Sequence, residues 1–246
     1  PHPPSLPALA AERSRVWERS SAHPDFLRVR YGVHAEPLTL DVAPPEVAVE
    51  EADPVAATAL RRFLAAHRLV SRVPASVDLR AISRVELAGA EESARSLARA
   101  LVCSATAFHA PEHLAVAVLV PPQHLAHWDW VKWLPHIQST RRSDALGPRR
   151  MVSTSSAQLL DLLPGTRSAT PHLLLVVDGG AVAPRPLPDG RNGVTLVVVG
   201  ASGVEPDDPT GLRIETGEGT DACPVAIAEA FARRLTPLHA AASAGG

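Results

Sequence analysis

Residues 89–96 read Gly89-Ala90-Glu91-Glu92-Ser93-Ala94-Arg95-Ser96 and follow the apolar run 84–88. A short strand, a glycine-led turn and a helix, in that order, match the phosphate-binding loop G-x-x-x-x-G-K-S/T. In the intact motif glycine lets the backbone wrap the phosphates, a lysine ammonium reaches the outer phosphates, and the hydroxyl ligates magnesium. Only Gly89 and Ser96 keep their types here. Ala94 adds a Cβ where the backbone would approach the ligand, and Arg95 exchanges a compact ammonium for a planar fork. Glu91 and Glu92 put two negative charges where an anion would bind. The other half of such a site is a buried strand ending in an aspartate that holds magnesium through water. Residues 173–178, closing on Asp178, have that form. A hydrolysing site also needs a base beside the aspartate, and Gly179 and Gly180 stand there instead. A positioned acid–base group contributes about 10²–10⁴ in rate, so loss of both base and lysine predicts little hydrolysis. Each half alone also fits an ordinary strand and turn. Together, in the right order, they point to a degenerate nucleotide site of Gly89, Ala94, Arg95, Ser96 and Asp178.

Other chemistry-bearing residues are sparse. His109 and His113 are four apart, as in helical zinc motifs, but Pro111 lies between them and a strand follows, so no metal site is expected. Trp128, Trp130 and Trp133 concentrate three of the four tryptophans in six positions. They read either as a plug at the sheet edge or as a partner-docking surface, since tryptophan is favoured at interface hot spots. Of the 24 basic residues only Lys132 is lysine. A Schiff base would have to use that residue, between bulky neighbours. Nucleophile elbows of the G-x-S-x-G type and the G-x-G-x-x-G fingerprint are absent.

The elements that must position the degenerate site are legible as alternating patterns. Residues 1–22 open Pro-rich and read as a linker with a short helix. Strand-like runs at 26–33 and 38–42 could pair as a hairpin, and Asp53 followed by Pro54 opens an amphipathic helix carrying Leu60, Phe63, Leu64 and His67. From residue 76 onward short β-rich runs alternate with helical ones, the signature of an α/β layered fold with a largely parallel sheet. Strands are predicted at 77–79, 84–88, 114–120, 150–153, 173–178, 193–199 and 212–215, and helices near 94–108, 155–162 and 224–235. Stretches 141–148, 164–171, 182–192 and 200–211 read as loops. The resulting division is 1–22 linker or stalk end and 23–246 domain. The latter comprises strands and a helix at 23–75, the α/β core at 76–237 and a flexible tail at 238–246.

Composition narrows the class. The 246 residues are 46% hydrophobic with a formal charge of −2, which suits a globular chain and argues against a nucleic-acid surface. Two cysteines, Cys103 and Cys223, give neither a disulfide framework nor a C-x-x-C knuckle, and a reducing compartment fits. The apolar run 114–120 is far short of the roughly 18 residues that span a bilayer. The chain begins at Pro1 and reads as a stretch of something longer.

Four segments, 23–32, 53–63, 128–136 and 171–179, carry a resemblance to a family. They are similar to EccC, the membrane-anchored motor ATPases of type VII secretion in the FtsK/SpoIIIE group, between the transmembrane helices and the first active ATPase module. The resemblance implies a RecA/FtsK-like fold with an N-terminal appendage and a degenerate ATPase-like domain under the membrane. Gly89, Ala94, Arg95 and Ser96 would map onto the phosphate loop and Asp178 onto the magnesium aspartate. It further implies a cytoplasmic domain of an inner-membrane protein. Its partners would be other pore components, especially the ubiquitin-like domains of EccD, adjacent ATPase modules, and copies in a hexamer. The expected function is a catalytically inactive coupling domain without a resident cofactor. The alternative is a regulatory, weakly Mg-ATP-binding or slowly hydrolysing site using Arg95, Ser96 and Asp178.

Overall fold

The computed structural model describes residues 2–37, 53–164, 171–179, 193–200 and 209–243, the side chains of 239–243 excepted. In chain order the elements are α1 (Leu6–Glu12), β1 (Arg28–Pro37), α2 (Pro54–Ala66), β2 (Leu69–Asp78), β3 (Arg84–Ala88), α3 (Glu91–Phe108), β4 (Leu114–Leu119), α4 (Leu125–Trp128), β5 (Gln138–Asp144), β6 (Gly147–Arg150), β7 (Val152–Ser153), α5 (Ser156–Leu162), β8 (His172–Asp178), β9 (Val194–Val199), β10 (Gly211–Glu215) and α6 (Val225–Ser243). Short 3₁₀ turns flank α1 and α4.

Six strands form one sheet in the order β10-β3-β9-β8-β4-β7, every neighbouring pair parallel. Its middle strands are near-continuous apolar runs because both faces are covered, the condition that parallel sheets impose. Alternation splits each run between two cores. Val116, Val118, Leu174, Val176, Val197 and Val199 face the side packed by α1, α3 and α6, with Leu97, Leu101 and Phe231. Ala117, Leu173, Leu175, Val177, Leu196 and Val198 face the other side with Leu159, Leu162 and Met151. All carboxyl ends lie at one edge of the sheet, where α/β folds place their ligands.

The amino-terminal part differs from the expectation. The segment read as a linker packs into the domain: Leu6 and Ala10 are in the core, and Trp17 and Arg19 donate their backbone N–H groups to Ala107 and Phe108 carbonyls, both at 2.9 Å. Leucine and alanine four apart put one apolar stripe on α1, and that stripe seats it against α6 and α3. β1 pairs antiparallel with β2, from Arg28 opposite Asp78 to Pro37 opposite Leu69; residues 38–42, the other half of the expected hairpin, lie outside the described residues. Pro74 inside β2 is tolerated because, among the described residues, this two-stranded ladder leaves an open side. The expected helix at Asp53 is present, with the Asp53 carboxylate accepting the Val55 N–H at 2.9 Å. Its apolar face is uncovered among the described residues, with Val55 77% and Phe63 58% exposed.

Three further boundaries move. The loop expected at 141–148 is an antiparallel β5–β6 hairpin, with β7 a separate short edge strand. α6 continues through Pro237 to Ser243, so residues 238–243, expected as tail, are helical. The third shift, at the start of α3, bears on the site.

Candidate functional site

At the carboxyl edge of β8 the Asp178 side chain is 1% exposed and fully engaged. Arg95 donates from Nε to Oδ2 at 3.0 Å and to Oδ1 at 3.2 Å. Trp128 donates its indole N–H to Oδ2 at 2.8 Å, and His124 Nδ1 stands 3.5 Å from Oδ1. The outer edge of the guanidinium is held as well, with Nη2 donating to Glu91 Oε2 at 2.9 Å and lying 3.2 Å from His124 Nδ1. Burial pulls the Arg95 pKa down, but hydrogen bonds and charge from Asp178 and Glu91 outweigh it and leave the pKa raised. The cation is therefore permanent, and the site is a closed ion pair. Its parts come from three places: Arg95 from the second turn of α3, Asp178 from the end of β8, and His124 and Trp128 from the turns after β4.

The loop that should cradle phosphate is not formed. β3 ends at Ala88 and α3 begins at Glu91, three residues before its expected start, leaving only Gly89 and Ala90 between them. Gly89 has φ +111°, and a Cβ there would lie 2.5 Å from Thr216 Oγ1, which itself donates to the Ala88 carbonyl at 2.8 Å. The residues that would wrap an anion are the first helical turn instead, and the Ala94 N–H is spent on the Ala90 carbonyl at 2.9 Å. Local chemistry explains this. Glu91 and Glu92 are favourable beside the positive end of the helix dipole, and Ala94 is the best helix former where the intact motif has glycine. Each glutamate also binds an arginine further along the helix, Glu91 with Arg95 and Glu92 with Arg99.

Ser96, in the position of the magnesium hydroxyl, points elsewhere. Its Oγ accepts the Cys223 N–H at 3.0 Å. Of the five residues expected at a nucleotide site, the fold joins only Arg95 and Asp178 through their side chains. Gly89 makes the tight turn, Ala94 is in the core, and Ser96 anchors the segment before α6. These residues do not fit a magnesium–nucleotide group. Freeing Asp178 would strand two buried charges, at a cost on the order of 3–5 kcal/mol, which lowers any affinity by roughly 10²–10⁴-fold.

The tryptophans divide. Trp128 and Trp130 are 1% and 2% exposed and stack with centroids 6.4 Å apart, so the docking expectation does not hold for their buried rings. Trp133 is partly exposed, with the Arg233 guanidinium 4.3 Å above its ring. Sequence reasoning missed Trp128, His124 and Glu91 as partners of the Arg95–Asp178 pair. Glu91 stands four residues before Arg95, an i,i+4 spacing that could have flagged it; the other two had no local signal. His109 is structural: Nδ1 donates to the Ala105 carbonyl at 2.7 Å and Nε2 accepts the Leu27 N–H at 2.9 Å. Among the described residues no group of three or more His, Cys, Asp or Glu could hold a metal ion, and no helix is long and apolar enough to cross a membrane.

No protein-family model matches the chain. It is 39% identical over 168 residues to the ESX-4 secretion system protein EccC4 of Mycobacterium tuberculosis, covering 67% of this chain and 13% of that protein. Against the ESX secretion system protein EccC of Thermomonospora curvata it is 31% identical over 263 aligned residues, 93% of this chain and 20% of that one. The solved cytoplasmic domain of the T. curvata type VII secretion ATPase EccC superposes with a TM-score of 0.51 over 91% of this chain and 32% of that chain, at 11% identity, a likeness of fold. The chain thus spans a fifth or less of the length of these two curated relatives. With the parallel α/β sheet and the strand–turn–helix order already described, these similarities place the chain with the EccC proteins of ESX secretion systems, as one α/β domain of that family.

Proposed function

We propose that this domain is a non-hydrolysing, ATPase-like coupling module of a type VII secretion motor. One observation carries the reading: the Arg95 guanidinium is bonded to both oxygens of Asp178, in the place where an active site would hold lysine, phosphate and magnesium apart. A buried pair closed by Trp128 gives the domain a fixed internal charge balance and requires no resident cofactor. The rival reading, a regulatory Mg-ATP site built from Arg95, Ser96 and Asp178, requires Arg95 to release Asp178 and Ser96 to release Cys223.

The wider setting rests on the family. In a parent protein like the relatives, the domain would lie on the cytoplasmic side of the inner membrane. It would contact adjacent ATPase modules, the ubiquitin-like domains of EccD and neighbouring copies in a hexamer, passing movement between the membrane part and the working modules. Trp133, partly exposed beside Arg233, is the remaining tryptophan candidate for such a contact. The test is in-frame removal of the domain from the full-length parent in cells. Export is expected to stop while the remaining modules still hydrolyse ATP. Unimpaired export would overturn the coupling role.

A further inference from the structure

α2 is an amphipathic helix of 13 residues, and none of them is buried. At about 100° per residue, Val55, Ala59, Phe63, Leu60 and Leu64 spread over roughly half of its circumference. Leu60 and Leu64 are half-buried, whereas Val55, Ala59 and Phe63 are open. Arg62 stands beside Val55 at one border of this arc, and Arg61 stands beside Leu64 at the other. Among the described residues six large apolar side chains are exposed, and Val55, Phe63, Leu69 and Val70 are four of them. They fall on one stretch, α2 and the first residues of β2, and such concentration marks an interaction surface.

The charge on that stretch has one sign. Between Pro54 and Val77 stand Arg61, Arg62, Arg68 and Arg72, and no aspartate or glutamate. All four arginines are exposed, and none is in an ion pair among the described residues. Arg61 bonds only within its own helix, to the Ala57 carbonyl at 3.2 Å and to Thr58. The flanking acids are engaged: Asp53 caps the helix, and Glu36, opposite Val70 in the ladder, holds His34 at 2.7 Å.

Two large open side chains on α2 fall well short of the ~800 Å² that each partner gives a stable protein complex. Lipid headgroups make no such demand, because they present negative charge continuously above an apolar layer. A helix of low overall hydrophobicity, with arginines bordering a face that carries phenylalanine, is the form that lies in a bilayer interface. We propose that α2 and the start of β2 are a peripheral docking arm for a membrane surface of anionic phospholipid. Val55 and Phe63 enter the boundary of the acyl chains, Arg61 and Arg62 meet lipid phosphates, and Arg68 and Arg72 add positive charge close by. The arm lies on the bilayer without crossing it, since α2 reaches about 20 Å against a hydrocarbon core of roughly 30 Å. This contact is separate from the Arg95–Asp178 pair and stands whether or not the domain couples movement.

The test is co-sedimentation of the 246-residue chain with vesicles of equal parts phosphatidylcholine and phosphatidylglycerol, against vesicles of phosphatidylcholine alone. Binding is expected to the anionic vesicles only, and to weaken at least about tenfold in molar salt. Each arginine at an anionic surface is worth roughly fivefold in partition, so Arg61→Gln with Arg62→Gln should weaken binding by about tenfold or more. Phe63→Ser should also weaken it, with the thermal midpoint unchanged because the ring is exposed. Arg149→Gln with Arg150→Gln, which removes the same charge from β6, should leave binding within about twofold. Absence of binding, equal binding to neutral vesicles, an equal loss on changing Arg149 and Arg150, or no effect of Phe63→Ser would each overturn the proposal. So would a dimer that Phe63→Ser dissociates, which would give the face to a second copy of the chain.

Discussion

Arg95 and Asp178, 83 positions apart in sequence, form a two-point ion pair whose side chains are 7% and 1% exposed. The pair joins the helix after β3 to the end of β8 across the intervening strand β9. It makes one rigid unit of two strands whose carboxyl ends would otherwise frame a ligand. A buried pair of this kind is costly to break and inexpensive to replace whole.

That asymmetry is measurable. Asp178→Ala should lower unfolding stability by about 3–5 kcal/mol, since it strands a buried guanidinium. The double change Arg95→Met with Asp178→Leu should recover most of that loss. Urea unfolding of the three chains checks it. A single variant within about 0.5 kcal/mol of the parent would mean the pair is solvated in solution.

Gly89 tests the shortened turn. Its φ is +111°, and Thr216 Oγ1 lies 2.5 Å from where an alanine Cβ would sit, so Gly89→Ala should cost about 1–3 kcal/mol in the same assay. A longer, adaptable phosphate loop would absorb the change with little loss.

Much of this arrangement was legible, for identifiable reasons. β8 and β9 announce themselves because strands buried on both faces must be apolar throughout, and Asp178 follows as the polar residue at their end. The start of α3 was not, because the motif template places the helix near Ala94 while Glu91, Glu92 and Ala94 themselves favour a helix from Glu91. β2 and the β5–β6 hairpin are largely exposed and carry Arg, Ser and Pro, so their alternation gives little signal. Trp128 reaches Asp178 across 50 positions, a contact that only tertiary packing creates.

Two buried histidines set a pH dependence. Burial lowers the pKa of His109 to about 4, and burial together with the nearby His109 does the same for His172. Above the unfolded value of about 6.5 neither state holds the proton, and the full stability is present. As pH falls toward 4 the unfolded chain binds protons that the folded chain refuses, so stability declines by up to about 1.4 kcal/mol per pH unit for each histidine. Guanidine unfolding at about pH 7, 6 and 5 should show this slope, and His172→Asn should reduce it by about half. A flat profile would place both imidazoles in water.

The claim that the site is closed meets its most direct test in calorimetric titration of the chain with Mg-ATP up to millimolar concentration. The expected result is no saturable heat and no thermal shift, with the Arg95–Asp178 pair intact. Saturable binding that disappears in Asp178→Ala would contradict it, and would make this domain a nucleotide sensor instead of a fixed coupling module.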